Sequence, residues 1–169
     1  MHVTVLMADH CSSTSVAATL EFFATANALH HYATQKSARH ESDHAPLFTL
    51  ETASIDGHSV ACTGGLKLTP DKALDEVHNP QLVIVPGFMF NILGVLPSLG
   101  RMVEWLQLQH QQGSYIASMC TGAFVTAQAG LLDGRCATTH WLFSEQFARR
   151  FPKVKLQPER TVTDDGQVL

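Results

Sequence analysis

Apolar and polar positions along this chain switch repeatedly between a strand period and a helix period. His2 to Ala8 is apolar and partly β-branched, as a buried first strand should be. Residues 15–33 then place Val16, Leu20, Phe23, Ala26, Asn27 and His30 at helical spacing, with Ser12 to Ser15 offering N-cap oxygens. A polar loop follows over residues 34–45. Leu47–Ala53 and His58–Cys62 read as two strands joined across Asp56-Gly57, a hairpin signal. Thr69-Pro70-Asp71 predicts the start of a short helix with proline at its first position.

The second half repeats the alternation. Gln81–Val85 is an apolar strand ending in Pro86-Gly87, and Pro97–Gln112 is an amphipathic helix (Leu99, Met102, Val103, Leu106) closed by Gly113. Tyr115-Ile116-Ala117 is a short strand that runs into Cys120, and the helix beyond it ends at Gly130. Arg135–Thr139 is a brief strand leading to His140-Trp141, and residues 141–151 form a helix stopped by Pro152. Val154–Leu156 and Arg160–Thr163 are expected as short strands, Asp165-Gly166 as a turn, and Gln167–Leu169 as a strand just starting. Strands alternating with helices imply one α/β domain over residues 1–169, with a mostly parallel sheet covered on both faces. The unfinished last strand suggests a fragment, cut before its final elements.

The segment around Cys120 carries the candidate chemistry. Small residues stand two positions either side of it, Ser118 and Gly122. A nucleophile elbow needs that pattern, because a sharp strand-to-helix turn must push one side chain out at the top of the sheet. A thiol at a helix N-terminus also feels unpaired N–H groups that favour the thiolate. The alternative is a structural cysteine buried as a small hydrophobe. His140 either lines the same pocket or simply caps the helix after it. Gly87 follows a strand at the end where such folds bind ligands. Its N–H, with that of Thr121, would make an oxyanion hole, unless Gly87 is a plain turn residue. Ser15 is a helix cap or a ligand contact. Trp105 and Trp141 are packing residues, with Trp141 a possible pocket wall, and Cys11 and Cys136 are core or surface thiols.

Composition narrows the function classes. Hydrophobic residues make up 45% and charged residues 15%, and the net charge of −4 gives this segment no electrostatic reason to bind nucleic acid. No run approaches the roughly eighteen apolar residues of a membrane span, and no signal-peptide pattern opens the chain. The four cysteines lack any C-x-x-C spacing, so reduced thiols in the cytoplasm are expected. Ten histidines invite a metal hypothesis, but His30-His31 diverge on a helix, and His40 and His44 sit in a polar stretch. No ligand cluster appears, so neither metal nor cofactor is expected.

The strings Ala117-Ser-Met-Cys-Thr-Gly-Ala-Phe and Ala129-Gly-Leu-Leu-Asp-Gly-Arg-Cys-Ala-Thr-Thr-His-Trp141 resemble one family. It is the N-terminal domain of AraC-type transcriptional regulators that carry a class I glutamine-amidotransferase-like (ThiJ/PfpI-like) sensor. Leu20-Glu-Phe-Phe-Ala-Thr-Ala-Asn27, Val83-Ile-Val-Pro-Gly87 and Thr163-Asp-Asp-Gly extend the resemblance over the whole chain. It implies a flavodoxin-like sheet with Cys120 on the elbow and His140 nearby. The implied ligand site comprises Ser15, Gly87, Phe88, Cys120, Thr121, His140 and Trp141. It also implies a homodimer, and DNA binding only through a helix-turn-helix domain beyond Leu169. In related hydrolases a carboxylate from the first helical segment completes the site. Here that position falls at Ser15, and the expected Gly-Pro appears as Ala18-Thr19. Two functions follow from this. One is a sensor that binds a small metabolite without turnover. The other is a cysteine hydrolase or hydratase (isonitrile hydratase or amidase-like) using Cys120 and His140, with Glu21 the nearest substitute acid. A third, thiol sensing by oxidation of Cys120, has less support.

Overall fold

A computed structural model describes residues 1–34 and 45–169; His40, His44 and most of the expected polar loop lie outside the described residues. Strand β1 (His2–Met7) is buried along almost its whole length, as a central parallel strand must be. Helix α1 (Ser13–Thr34) follows, capped by Ser12, whose hydroxyl accepts the Ser15 N–H at 3.2 Å. Strand β2 (Thr49–Ser54) pairs with β1 in parallel, His2 opposite Thr49 and Met7 opposite Ser54. On α1, Asn27 mimics a strand neighbour: its amide donates to the Phe48 carbonyl at 2.8 Å and accepts the Phe48 N–H at 2.9 Å.

Two sequence expectations fail in the next stretch. The hairpin across Asp56-Gly57 does not form. The turn is there, with Gly57 at φ 77°, but β3 (Val60–Ala61) pairs antiparallel with β4 (Lys67–Leu68) instead of with β2. The β1 backbone competes for β2 and wins, because a central buried position satisfies both edges. The helix expected from Thr69-Pro70-Asp71 is also absent. Asp71 turns its carboxylate onto Thr52, accepting both the N–H and the hydroxyl at 2.8 Å. That contact draws β5 (Lys72–Ala73) alongside β2 as the sheet edge, before one 3-10 turn over Leu74–Glu76.

Strand β6 (Leu82–Val85) pairs with the other side of β1, and β7 (Tyr115–Ser118) pairs with β6, completing the order β5-β2-β1-β6-β7. Between them lie α2 (Ile92–Val95), a 3-10 turn Leu96–Leu99 and α3 (Gly100–Gln111). The α1 crossover moves one way along the sheet and the α3 crossover the other. Right-handed connections therefore put α1 and α3 on opposite faces. After β7 come a 3-10 turn Cys120–Gly122, α4 (Ala123–Gln128), β8 (Cys136–Ala137), α5 (Ser144–Arg150) and β9 (Lys155–Leu156). Phe124 of α4 meets Phe147 and Phe151 edge-on at 4.9 and 5.9 Å, which fastens α5 to the body. Arg160–Thr163, expected as a strand, is irregular, because β9 already holds the β8 edge. Val168 bridges Ile116 in parallel, as the start of a strand beside β7.

Glu51 is a buried acid on β2, held by Lys72 Nζ at 2.8 Å, the Thr4 hydroxyl at 2.8 Å and His2 Nε2 at 3.1 Å. Burial alone would raise its pKa. The Lys72 and Thr4 hydrogen bonds and the nearby His2 outweigh that and hold the carboxyl below its ordinary 4.5. A depressed folded-state pKa stabilises the fold above the unfolded value, and that contribution is lost as pH falls through the folded one. Glu51→Gln is therefore expected to lower stability at neutral pH by roughly 1–2 kcal/mol, the size of a charged hydrogen bond. It should also flatten the decline of the urea midpoint below about pH 4.5. An unchanged acid limb in the variant would contradict this account.

Candidate functional site

The strand order reverses between β1 and β6, and the loops leaving β1, β6 and β7 meet at that switch point, where α/β sheets bind ligands. Each loop contains a non-glycine residue in the left-handed region: His10 at φ 65°, Met89 at 46° and Cys120 at 55°. Such backbone costs of order 1 kcal/mol or more and persists only where the surroundings impose it. At Cys120 the constraints are visible. Met119 N–H donates to the Val85 carbonyl at 2.9 Å, Gly122 N–H donates back to Met119 at 2.8 Å, and the Thr139 hydroxyl holds the Cys120 carbonyl at 3.2 Å. The strand thus turns sharply into helix with the Cys120 side chain exposed.

Ser15, Gly87 and Cys120 converge. A methyl group added to Gly87 would sit 3.4 Å from Cys120 Cβ and 3.5 Å from Ser15 Oγ. Phe88 and Thr121 lie beneath this surface, both fully buried, with the Thr121 hydroxyl accepting the Phe88 N–H at 2.8 Å. That bond ties the β6 loop to the β7 turn. His140 and Cys120 line one cavity of about 510 Å³ together with Ala117, Thr139, Trp141 and Arg160. Trp141 stacks on His140 with ring centroids 5.4 Å apart and is 73% exposed. His140 Nδ1 accepts the Leu142 N–H at 3.2 Å, so the imidazole caps the turn that follows. A neutral ring bonded in that way carries its proton on Nε2.

No aspartate or glutamate lines this cavity among the described residues. Sequence reasoning missed Thr139 as the hydroxyl that fixes the Cys120 carbonyl. It also missed Arg160, which reaches the cavity only because β8 and β9 pair and Asp165 anchors the Cys136 N–H at 2.9 Å. A second depression of about 470 Å³, near His10 and His58, contains two carboxylates that are already engaged. Asp9 accepts the Ala61 N–H and Asp56 the His58 N–H. Among the described residues no group of three His, Cys, Asp or Glu side chains is placed to hold a metal, and no helix is long and apolar enough to cross a membrane.

Two of the other thiols differ sharply from Cys120. Cys11 and Cys62 are buried with their sulfurs 3.7 Å apart, and burial foremost pushes the Cys11 thiol up to about 12. Iodoacetamide at pH 8 should therefore modify Cys120 at least about tenfold faster than Cys11 or Cys62, as followed by peptide mass mapping. Equal rates in the folded chain would mean that the Cys11–Cys62 side of the molecule opens readily.

A switch-point cavity fronted by a strained cysteine turn defines a class of α/β domain, flavodoxin-like in its sheet. The profile of the DJ-1/PfpI family matches residues 1–169, and the chain belongs to that family. It is 33% identical over 125 residues to the HTH-type transcriptional regulator CdhR of Pseudomonas aeruginosa, covering 74% of this chain and 36% of CdhR. GbdR of the same species is 36% identical over 111 residues, covering 65% of this chain and 29% of GbdR. The chain thus spans about a third of the length of these curated regulators. Isonitrile hydratase of Pseudomonas putida is 33% identical over 86 residues, covering 51% of this chain and 37% of that enzyme. In fold, an AraC family transcriptional regulator from Pseudomonas putida superposes with a TM-score of 0.73 at 23% identity, covering 99% of this chain and 80% of that one.

Proposed function

We propose that this chain is the ligand-sensing domain of an AraC-family transcriptional regulator. It binds a small metabolite in the Cys120–His140 cavity without turning it over. In this proposal the protein works in the cytoplasm as a homodimer, and DNA is bound by a helix-turn-helix domain beyond Leu169. Cys120, His140 and Trp141 line the proposed ligand site; Ser15 and Gly87 sit against Cys120 outside that lining, and Phe88 and Thr121 are fully buried. The observation that carries the reading is that no aspartate or glutamate among the described residues lines the cavity. A cysteine hydrolase needs a base that accepts the thiol proton and a third group that orients the base. Here a backbone N–H donates to His140 Nδ1, where an orienting acceptor would otherwise stand. The similarity to CdhR and GbdR supports the regulatory half of the proposal.

Calorimetric titration with a panel of small metabolites tests it. Saturable binding by the wild-type chain, weakened in Trp141→Ala and accompanied by no product, is the expected result. The competing reading, a cysteine-dependent hydratase or amidase, draws on the isonitrile hydratase similarity and on the exposed thiol. Turnover of an isonitrile or amide that disappears in Cys120→Ala and drops in His140→Ala would replace the sensor proposal. Salt-dependent, operator-specific DNA binding by these 169 residues alone would overturn the division of labour.

A further inference from the structure

The loop that leaves β1 runs alongside the turn between β3 and β4. Residues 9–11 and 61–63 are laced together by four hydrogen bonds. His10 N–H donates to the Ala61 carbonyl at 2.7 Å, and Thr63 N–H donates to the Cys11 carbonyl at 2.9 Å. Asp9 Oδ1 accepts the Ala61 N–H and the His10 carbonyl accepts the Thr63 hydroxyl, both at 2.8 Å. This lacing sets Cys11 and Cys62, 51 positions apart in sequence, side by side with their sulfurs 3.7 Å from each other. Both thiols are free, and neither lines the Cys120 cavity.

We propose that Cys11 and Cys62 are a redox pair that closes to a reversible disulfide when the folded chain meets a hydroperoxide. The inference goes beyond the sensor proposal and stands whatever the cavity binds. A disulfide needs its sulfurs at about 2.05 Å, with the Cβ atoms roughly 4 Å apart. Side-chain rotation on a backbone that is already paired supplies the remaining approach. Cys62 is the sulfur that meets the oxidant. Within residues 61–67 it alone is buried, and its neighbours form the exposed tip of the β3–β4 pair. Strands of two residues each hold that tip, which turns through Gly64 and Gly65 with open space about both. Short exposed elements of this kind open locally at small cost. Cys11 lies deeper, with no exposed surface, and burial foremost keeps it a protonated thiol that waits for an activated sulfur.

The reaction balances in two steps. The Cys62 sulfur attacks a peroxide oxygen, the O–O bond breaks, and Cys62 becomes a sulfenic acid while the rest of the peroxide leaves as an alcohol or water. The Cys11 sulfur then attacks the Cys62 sulfur. The S–O bond breaks, the hydroxyl departs with the Cys11 proton as water, and the S–S bond forms. Two thiols lose two electrons, the peroxide gains them, and a dithiol reverses the bond by exchange. The bond closes next to the candidate site. Ser12, the residue after Cys11, donates its N–H to the Gly87 carbonyl at 2.7 Å, and Gly87 faces Cys120.

Peptide mass mapping of the folded chain tests the pair. After hydrogen peroxide at neutral pH and trapping of free thiols with N-ethylmaleimide, the Cys11 and Cys62 peptides are expected joined, two hydrogens lighter than their sum. Dithiothreitol should return both to the free form. The same joined product is expected from Cys120→Ser, because the exposed thiol takes no part. Cys11→Ser should leave Cys62 as a sulfenic acid that dimedone captures at least about tenfold more than in the wild type. Circular dichroism checks that each variant is folded, and the wild-type mapping decides the matter if Cys11→Ser is not. A folded wild-type chain in which Cys11 and Cys62 stay free while peroxide oxidises Cys120 would overturn the proposal. So would bonds from either thiol to Cys120 or Cys136 in place of their own, or loss of the joined product in folded Cys120→Ser.

Discussion

Gly122→Ala should destabilise the fold by roughly 2–4 kcal/mol, at the upper end of what overpacking costs. A Cβ at this position would lie 2.6 Å from the Pro86 carbonyl oxygen and 2.7 Å from that of Val85. Neither obstacle is the tip of a flexible side chain. Both belong to the backbone that leaves β6, so relief requires moving either that strand end or the turn that follows Cys120. The substitution would also disturb the site, since Gly122 N–H closes the turn onto Met119. A fall in the urea midpoint together with an altered Cys120 alkylation rate is the expected pair of results. A variant with wild-type stability would mean that the two loops approach less closely than described.

Phe124→Ala should cost roughly 3–5 kcal/mol, the range for removing a large buried ring. Phe124 has no exposed surface and lies within edge-to-face distance of Phe143, Phe147 and Phe151. Little is available to collapse into the space, because the surrounding rings are themselves fixed against one another. Helix α5 should suffer first, and with it the segment that carries His140 and Trp141. Thermal unfolding checks the magnitude, and hydrogen exchange in α5 checks the location. A loss under 1 kcal/mol would show that the cluster is loosely packed.

The sharp strand-to-helix turn at Cys120 was legible because its requirements are local. Ser118 and Gly122 flank Cys120 at the spacing the turn demands, and the β-branched run in β6 announces a buried strand. Asp71 was misread for the opposite reason. Thr-Pro-Asp opens many helices, and only the arrival of Thr52 from nineteen residues away makes a strand-side acceptor more favourable. The Asp56-Gly57 turn formed while its hairpin did not, since the turn depends on a few neighbouring residues and the pairing depends on which strands compete. On α1 the helical period located the face toward the sheet and passed over Phe22, Leu29 and Tyr32, which fall on the other side of the same helix.

By itself the chain determined that strands and helices alternate, that β1 and β6 are buried, and that a cysteine sits where strand becomes helix. Those features follow from periodicity and from steric limits within a few residues. Only the tertiary structure decided that β5 rather than a helix edges the sheet, and that Thr139 and Arg160 reach the Cys120 cavity, where no aspartate or glutamate among the described residues joins them. Contacts of that kind join residues far apart in the chain, and their strength depends on which partners burial leaves available.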